Sequence, residues 1–141
     1  MAEPRSAGHW LVVGFALFGV LVPVALGLLL EPDPRGHGTH EQLGMRPCLS
    51  MQELGIPCPG CGVTTSVTLA VQGEWWQSVT TQPLGMILIL GAIGFFLWTV
   101  QGILRGQDLG ERIQCFSWLR WSLVGSVVVV AAWIYKLVQL H

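Results

Sequence analysis

Residues 10–30 read WLVVGFALFGVLVPVALGLLL, 21 residues without a charged side chain. At 1.5 Å rise per residue a helix of that length covers about 31 Å, close to the thickness of a bilayer's hydrocarbon core. This stretch is therefore expected to cross a membrane. A cleaved signal peptide is the competing reading, but its apolar region runs only about 7–15 residues and ends in a small-x-small pattern that is missing here. Pro23 lies inside the stretch, where a membrane helix tolerates a kink, and Glu31-Pro32-Asp33-Pro34 closes it.

Two further runs have the same character. Residues 83–104 carry no charge and are followed at once by Arg105, and residues 121–140 are apolar except for Lys136, placed near enough to the end to snorkel to the headgroups. Trp75, Trp76, Trp118 and Trp121 flank these cores as an interfacial aromatic belt does, while Trp98 and Trp133 lie deeper and are expected to pack between helices. Gly85, Gly91 and Gly94 are expected to allow close helix contacts, within the chain or with a second copy.

Residues 54–73 also lack charge, yet Pro57, Pro59 and several Gly and Thr residues make them a poor span, because unpaired backbone around prolines is costly in lipid. Val63, Val67 and Ala70 fall at i, i+4 and i+7, which predicts a short helix beginning just after the cysteines, interfacial or re-entrant. With three spans, Arg5, Arg105, Arg112 and Arg120 share one face and Arg35, Arg46 and Lys136 the other. A fourth span would sort the cations five against two, so the charge rule favours four spans and the quality of the segment favours three. Segment quality decides: the fold is expected to be all-α, a single membrane domain over 1–141 with about three spans and a cysteine-containing loop and short helix over 31–82.

Composition agrees. Only 11% of the 141 residues are charged, 52% are apolar and the mean hydropathy is +0.59, far from a soluble domain. Seven Lys and Arg balance eight Asp and Glu, so the basic footprint of a nucleic-acid binder is missing. The expected partners are the lipid bilayer and another membrane protein or a second copy.

The concentrated chemistry is Pro57-Cys58-Pro59-Gly60-Cys61-Gly62. A Cys-x-x-Cys spacing brings two sulfurs close enough to hold one metal ion or to close a small disulfide ring. Cys-Pro-x-Cys-Gly has the form of the knuckle in rubredoxins and zinc ribbons, which supplies two ligands where a closed tetrahedral site needs four. Cys48 and His37 or His40 lie just upstream to complete such a set, with Gly36, Gly38, Gly44 and Gly55 to permit the turns; the alternative for the two histidines is a solvated loop. If the pair is redox-active instead, a helix starting near Cys61 would depress a nearby thiol pKa, Cys58 would attack, and Cys48 would shuttle electrons to a partner. In a third reading the cysteines only staple the loop. Cys115 falls across the membrane from the other three and is read as a bystander. Thr64, Thr65, Ser66 and Thr68 are expected to bond helix carbonyls at i−4. Glu74, beside Trp75 and Trp76, reads as an interfacial helix start, and His9 and His141 are assigned no role.

At these residues the chain resembles domain-of-unknown-function family 2752, small bacterial multi-pass membrane proteins. The resemblance runs through Cys48, Pro57 to Gly62, Thr64, Gly73 and Pro83, over roughly residues 48–104. Thr65, which carries no charge, stands where most members carry Arg, and Gln82-Pro83 replaces Asn-Pro. The resemblance implies a bacterial inner-membrane location and a cysteine site, and brings no activity with it. The functional expectation is metal binding, zinc foremost, through Cys48, Cys58, Cys61 and His37 or His40. The alternatives are thiol–disulfide exchange by Cys58 and Cys61, and a non-catalytic subunit of a membrane complex.

Overall fold

The computed structural model describes residues 5–114 and 117–139 and is all-helical over them, with no strand among the described residues. Three helices are long and apolar enough to cross a membrane: α1 (Ala7–Leu29), α5 (Pro83–Leu104) and α7 (Trp118–Gln139). Between α1 and α5 come a 3₁₀ turn (Thr39–Leu43) and three short helices, α2 (Leu49–Glu53), α3 (Val63–Val71) and α4 (Trp75–Thr81); α6 (Leu109–Gln114) precedes α7.

The long helices begin where local chemistry lets them. α1 starts ahead of residue 10 because Ser6 caps it, its hydroxyl accepting from the His9 N–H at 3.2 Å. α5 opens on Pro83, whose missing N–H costs nothing at that position. α7 starts at Trp118, ahead of residue 121, and so takes Arg120 into its first turn; residue 140 lies outside the described residues. Leu11, Phe15, Leu21, Leu28, Leu88, Leu97, Leu123 and Val127 are exposed on these helices, the arrangement expected when the surrounding solvent is hydrocarbon.

α3 has nine residues, about 13 Å of helix at 1.5 Å per residue, far short of a span. The three-span reading holds, and the cation count that favoured a fourth span is overruled by this length. α3 packs between α1 and α5 and returns through α4 as a short hairpin. Its burial extends well beyond the expected apolar stripe: Val67 and Ala70 are buried, but so are Thr65, Ser66 and Thr68. The Ser78 hydroxyl donates to the Ser66 carbonyl at 2.7 Å, and the Ser66 hydroxyl reaches the Gln82 carbonyl at 2.7 Å. These bonds tie α3, α4 and the start of α5 into one unit. Only Thr68 makes the expected i−4 bond, to Thr64 O at 3.0 Å.

The opposite end of the bundle is latched by the loop before α6. Asp108 accepts from the Ser6 N–H and hydroxyl, each at 2.8 Å, and these bonds, the N–H first, hold its carboxyl down at about 2. His9, assigned no role from sequence, is fully buried there; its Nδ1 accepts from the Leu109 N–H at 3.2 Å. Arg112 lies over the Trp98 ring, 4.9 Å from its centroid. The region containing Cys115 lies outside the described residues.

Of the three glycines expected to permit close contacts, Gly85 does so within the chain: a Cβ there would stand 2.5 Å from Ser66 Oγ and 3.0 Å from the Val63 carbonyl. Gly91 and Gly94 have no such neighbour within 4 Å. Gly85→Val is accordingly expected to lower stability by about 1–3 kcal/mol through overpacking, while Gly91→Val leaves thermal melting in detergent nearly unchanged. Equal melting of the two variants would contradict this packing.

Candidate functional site: a three-thiol pocket at one end of the bundle

The loop from Glu31 to Cys61 is shaped by its own polar groups before any cysteine is placed. Arg35 pairs with Asp33 at 2.7 Å and Glu41 at 3.2 Å, and its guanidinium holds the Asp33 carboxyl below the usual carboxylate range. The Asp33 N–H donates to the Thr39 hydroxyl at 3.0 Å, and that hydroxyl lies 2.8 Å from the Thr65 hydroxyl, both buried. Thr65 therefore seats the loop on α3. The spanning helix α7 completes the hold: Trp133 Nε1 donates to Pro57 O at 2.8 Å, and Lys136 Nζ donates to Thr81 O at 3.0 Å and Gly36 O at 3.4 Å.

Within this frame the cysteine motif is a tight turn, with the Cys61 N–H donating to Cys58 O at 2.9 Å. Gly62 follows with φ +85°, and a Cβ there would meet the Gly36 carbonyl at 2.6 Å, so glycine alone fits the position that starts α3. Cys61 is buried at 5% exposure, whereas Cys48 and Cys58 are half-buried. All three are free thiols. Gln82, fully buried, reaches Cys61 O at 3.5 Å with its amide nitrogen, and its amide oxygen has no hydrogen-bond partner among the described residues.

The thiols differ in their electrostatics. Cys48 is the cap residue of α2. Burial pushes its thiol up, but the Met51 N–H, the Cys58 thiol and the N–H groups of Cys58 and Ser50 outweigh it, leaving Cys48 below the ordinary thiol value. Burial pushes Cys58 up, and its bond to the Cys48 thiol adds to that, against the pull of the Gly60 N–H. Cys61 rises to about 11, through burial first and then the charges of Cys58 and Cys48, with the Lys136 charge opposing. The sequence reading expected the start of α3 to depress a nearby thiol pKa and Cys58 to attack. At Cys58 burial first, and then the Cys48 thiol, push the pKa up.

The expected site residues do share a cavity. It measures about 520 Å³ and is lined by Cys48, Cys58, Cys61, His37, His40 and, unforeseen, Met45 and Met51. His37 donates from Nδ1 to the Arg35 carbonyl at 2.9 Å, a bond that serves the loop's own turn. A closed zinc shell needs four donors, and among the described residues no group of three His, Cys, Asp or Glu side chains is arranged to hold a metal ion. Lys136 was read as snorkelling to the headgroups and instead is buried against the loop; an ionisable residue inside an apolar span was the signal available for it.

Over the described residues, fold and site together define a helical membrane protein of three spanning helices that carries a three-cysteine pocket at one end. Residues 48–96, from Cys48 through α2, α3 and α4 into α5, match the family described as "Protein of unknown function (DUF2752)". The match supports the family assignment that the cysteine motif suggested. No curated protein and no solved structure matches the chain.

The thiol order is testable by alkylation resolved residue by residue, since only thiolates react. Modification should rise with pH first at Cys48, below the range of an ordinary thiol, and last at Cys61, near pH 11. Cys61 reacting ahead of Cys48 would contradict the electrostatics of the pocket.

Proposed function

We propose that this chain is a membrane thiol–disulfide exchange protein in which Cys48 is the entry thiol and Cys58 with Cys61 is the pair that ends oxidised. The observation that carries the reading is that Cys48, Cys58 and Cys61 line one cavity of about 520 Å³, and the direction of the shifts, down at Cys48 and up at Cys58 and Cys61, agrees with it. Exchange requires a thiolate to reach a disulfide sulfur, and the most acidic accessible thiol has the advantage at neutral pH.

The sequence of steps balances with a disulfide R–S–S–R as oxidant. The Cys48 thiolate attacks one sulfur, forms Cys48–S–S–R and expels RS⁻, which takes up a proton. Cys58, having lost its proton, attacks the Cys48 sulfur and expels the second RS⁻, giving Cys48–S–S–Cys58. Cys61 then attacks Cys58, closing Cys58–S–S–Cys61 and returning Cys48 as thiolate. Two electrons leave the Cys58/Cys61 pair, and two RSH form. Run backwards, the same steps reduce the pair.

Zinc binding through Cys48, Cys58, Cys61 and His37 or His40 is the weaker reading, for the lack of a gathered ligand set given above. A subunit role without chemistry has no separate feature of the pocket in its favour.

The test uses the reduced full-length protein in detergent and oxidised glutathione as R–S–S–R. Wild type should release about two equivalents of glutathione per chain as the pair closes. Cys48→Ser should slow release by about tenfold or more, and Cys61→Ser should accumulate a Cys48–Cys58 disulfide. Release from wild type no faster than from Cys48→Ser would overturn the proposal.

A further inference from the structure

Lys136 is 4% exposed on a membrane-spanning helix, and among the described residues the ion pairs all belong to Arg35, so no carboxylate neutralises it. An unpaired ammonium is an expensive group to bury, and an apolar side chain would fill the same space at less cost. Its position shows where the charge is directed. Nζ is bound by the carbonyls of Thr81 and Gly36, at 3.0 and 3.4 Å, leaving one of its three protons without a carbonyl partner. A Cβ built on Gly62 would stand 3.5 Å from Nζ, so the ammonium lies over the Cys61–Gly62 segment. The neighbouring Gln82 holds the Cys61 carbonyl and leaves its own amide oxygen unpartnered, so this corner has polar capacity beyond what folding consumes.

Resting on the exchange reading above, we infer that Lys136 is a positioning residue that supplies a fixed positive charge for the Cys61 sulfur while it bears negative charge. In the final step of the relay Cys61 attacks as a thiolate, and in the reverse direction it leaves as one. Both pass through negative charge on a sulfur that is otherwise the least favourable of the three, buried and beside two other thiols. The opposing pull of the Lys136 charge on the Cys61 thiol agrees with this role. A cation delivered from α7 also couples the chemistry to the seating of that helix, since Trp133, one turn earlier on α7, grips Pro57 immediately before the motif.

Two substitutions separate charge from tether. Lys136→Gln keeps a donor for the Thr81 and Gly36 carbonyls and removes the charge, whereas Lys136→Arg keeps the charge. Reduced proteins are mixed with oxidised glutathione and quenched with acid at intervals, and the disulfides are mapped by mass spectrometry. Capture of glutathione at Cys48 should proceed at the wild-type rate in both variants. Closure of Cys58–Cys61 should slow about three- to tenfold in Lys136→Gln and recover in Lys136→Arg. Closure at the wild-type rate in Lys136→Gln, or equal slowing of both steps, would overturn the role of Lys136 and leave the exchange reading standing. A wild-type protein that captures glutathione but never closes the pair overturns the exchange reading and this inference together.

Discussion

Backbone polar groups near a bilayer must be satisfied by the protein itself, and the segment between α1 and α5 is where this constraint is hardest to meet. It contains prolines, glycines and only short helices, so many of its carbonyls have no helical partner. Side chains from neighbouring elements supply what is missing. Gln72 donates to the Gly27 and Leu30 carbonyls at 2.9 and 3.1 Å, closing the end of α1. Trp133 and Lys136 donate to Pro57, Thr81 and Gly36 from α7, the Ser66–Ser78 pair joins α3 to α4, and the Ser66 hydroxyl donates to the Gln82 carbonyl at the start of α5. Without these donors the loop would have to lie out in water, and the three cysteines would lose the surface against which they converge.

The pocket follows from that arrangement. A turn that must sit close against Gly36 admits only glycine after Cys61, and the buried start of α3 removes Cys61 from solvent. Cys48 enters from a separate short helix, at the position that caps it. Three chemically identical side chains thereby acquire three environments: a cap thiol with its pKa lowered, a half-buried thiol with its pKa raised, and a buried thiol raised further with an ammonium opposing the rise. A gradient of this kind suits stepwise passage of a disulfide inward from the more exposed Cys48.

Much of the architecture was legible in the sequence. Run length and the absence of charge identified α5 with its observed bounds, α1 starts about a turn early and ends one residue short of expectation, and α7 starts about a turn early, where Ser6 and Trp118 extend helices that hydropathy alone would begin later. Pro57 and Pro59 correctly argued against a fourth span. The cavity shared by Cys48, Cys58, Cys61, His37 and His40 was also foreseeable from their clustering along the chain. Pair contacts between distant positions were not. His9 meets Leu109 and Thr39 meets Thr65 through tertiary packing that no local pattern encodes. The sign of the Cys58 shift is set by burial and then by the Cys48 thiol, both products of tertiary packing.

The account stands on the mutual approach of Cys48, Cys58 and Cys61 within one chain. Its most direct measurement is mild oxidation of the protein in its native membrane with diamide, followed by denaturing separation and mapping of the disulfides formed. Intramolecular Cys48–Cys58 and Cys58–Cys61 links in monomeric chains are predicted. A Cys48 that stays unpaired, or that links only to other molecules, would contradict it.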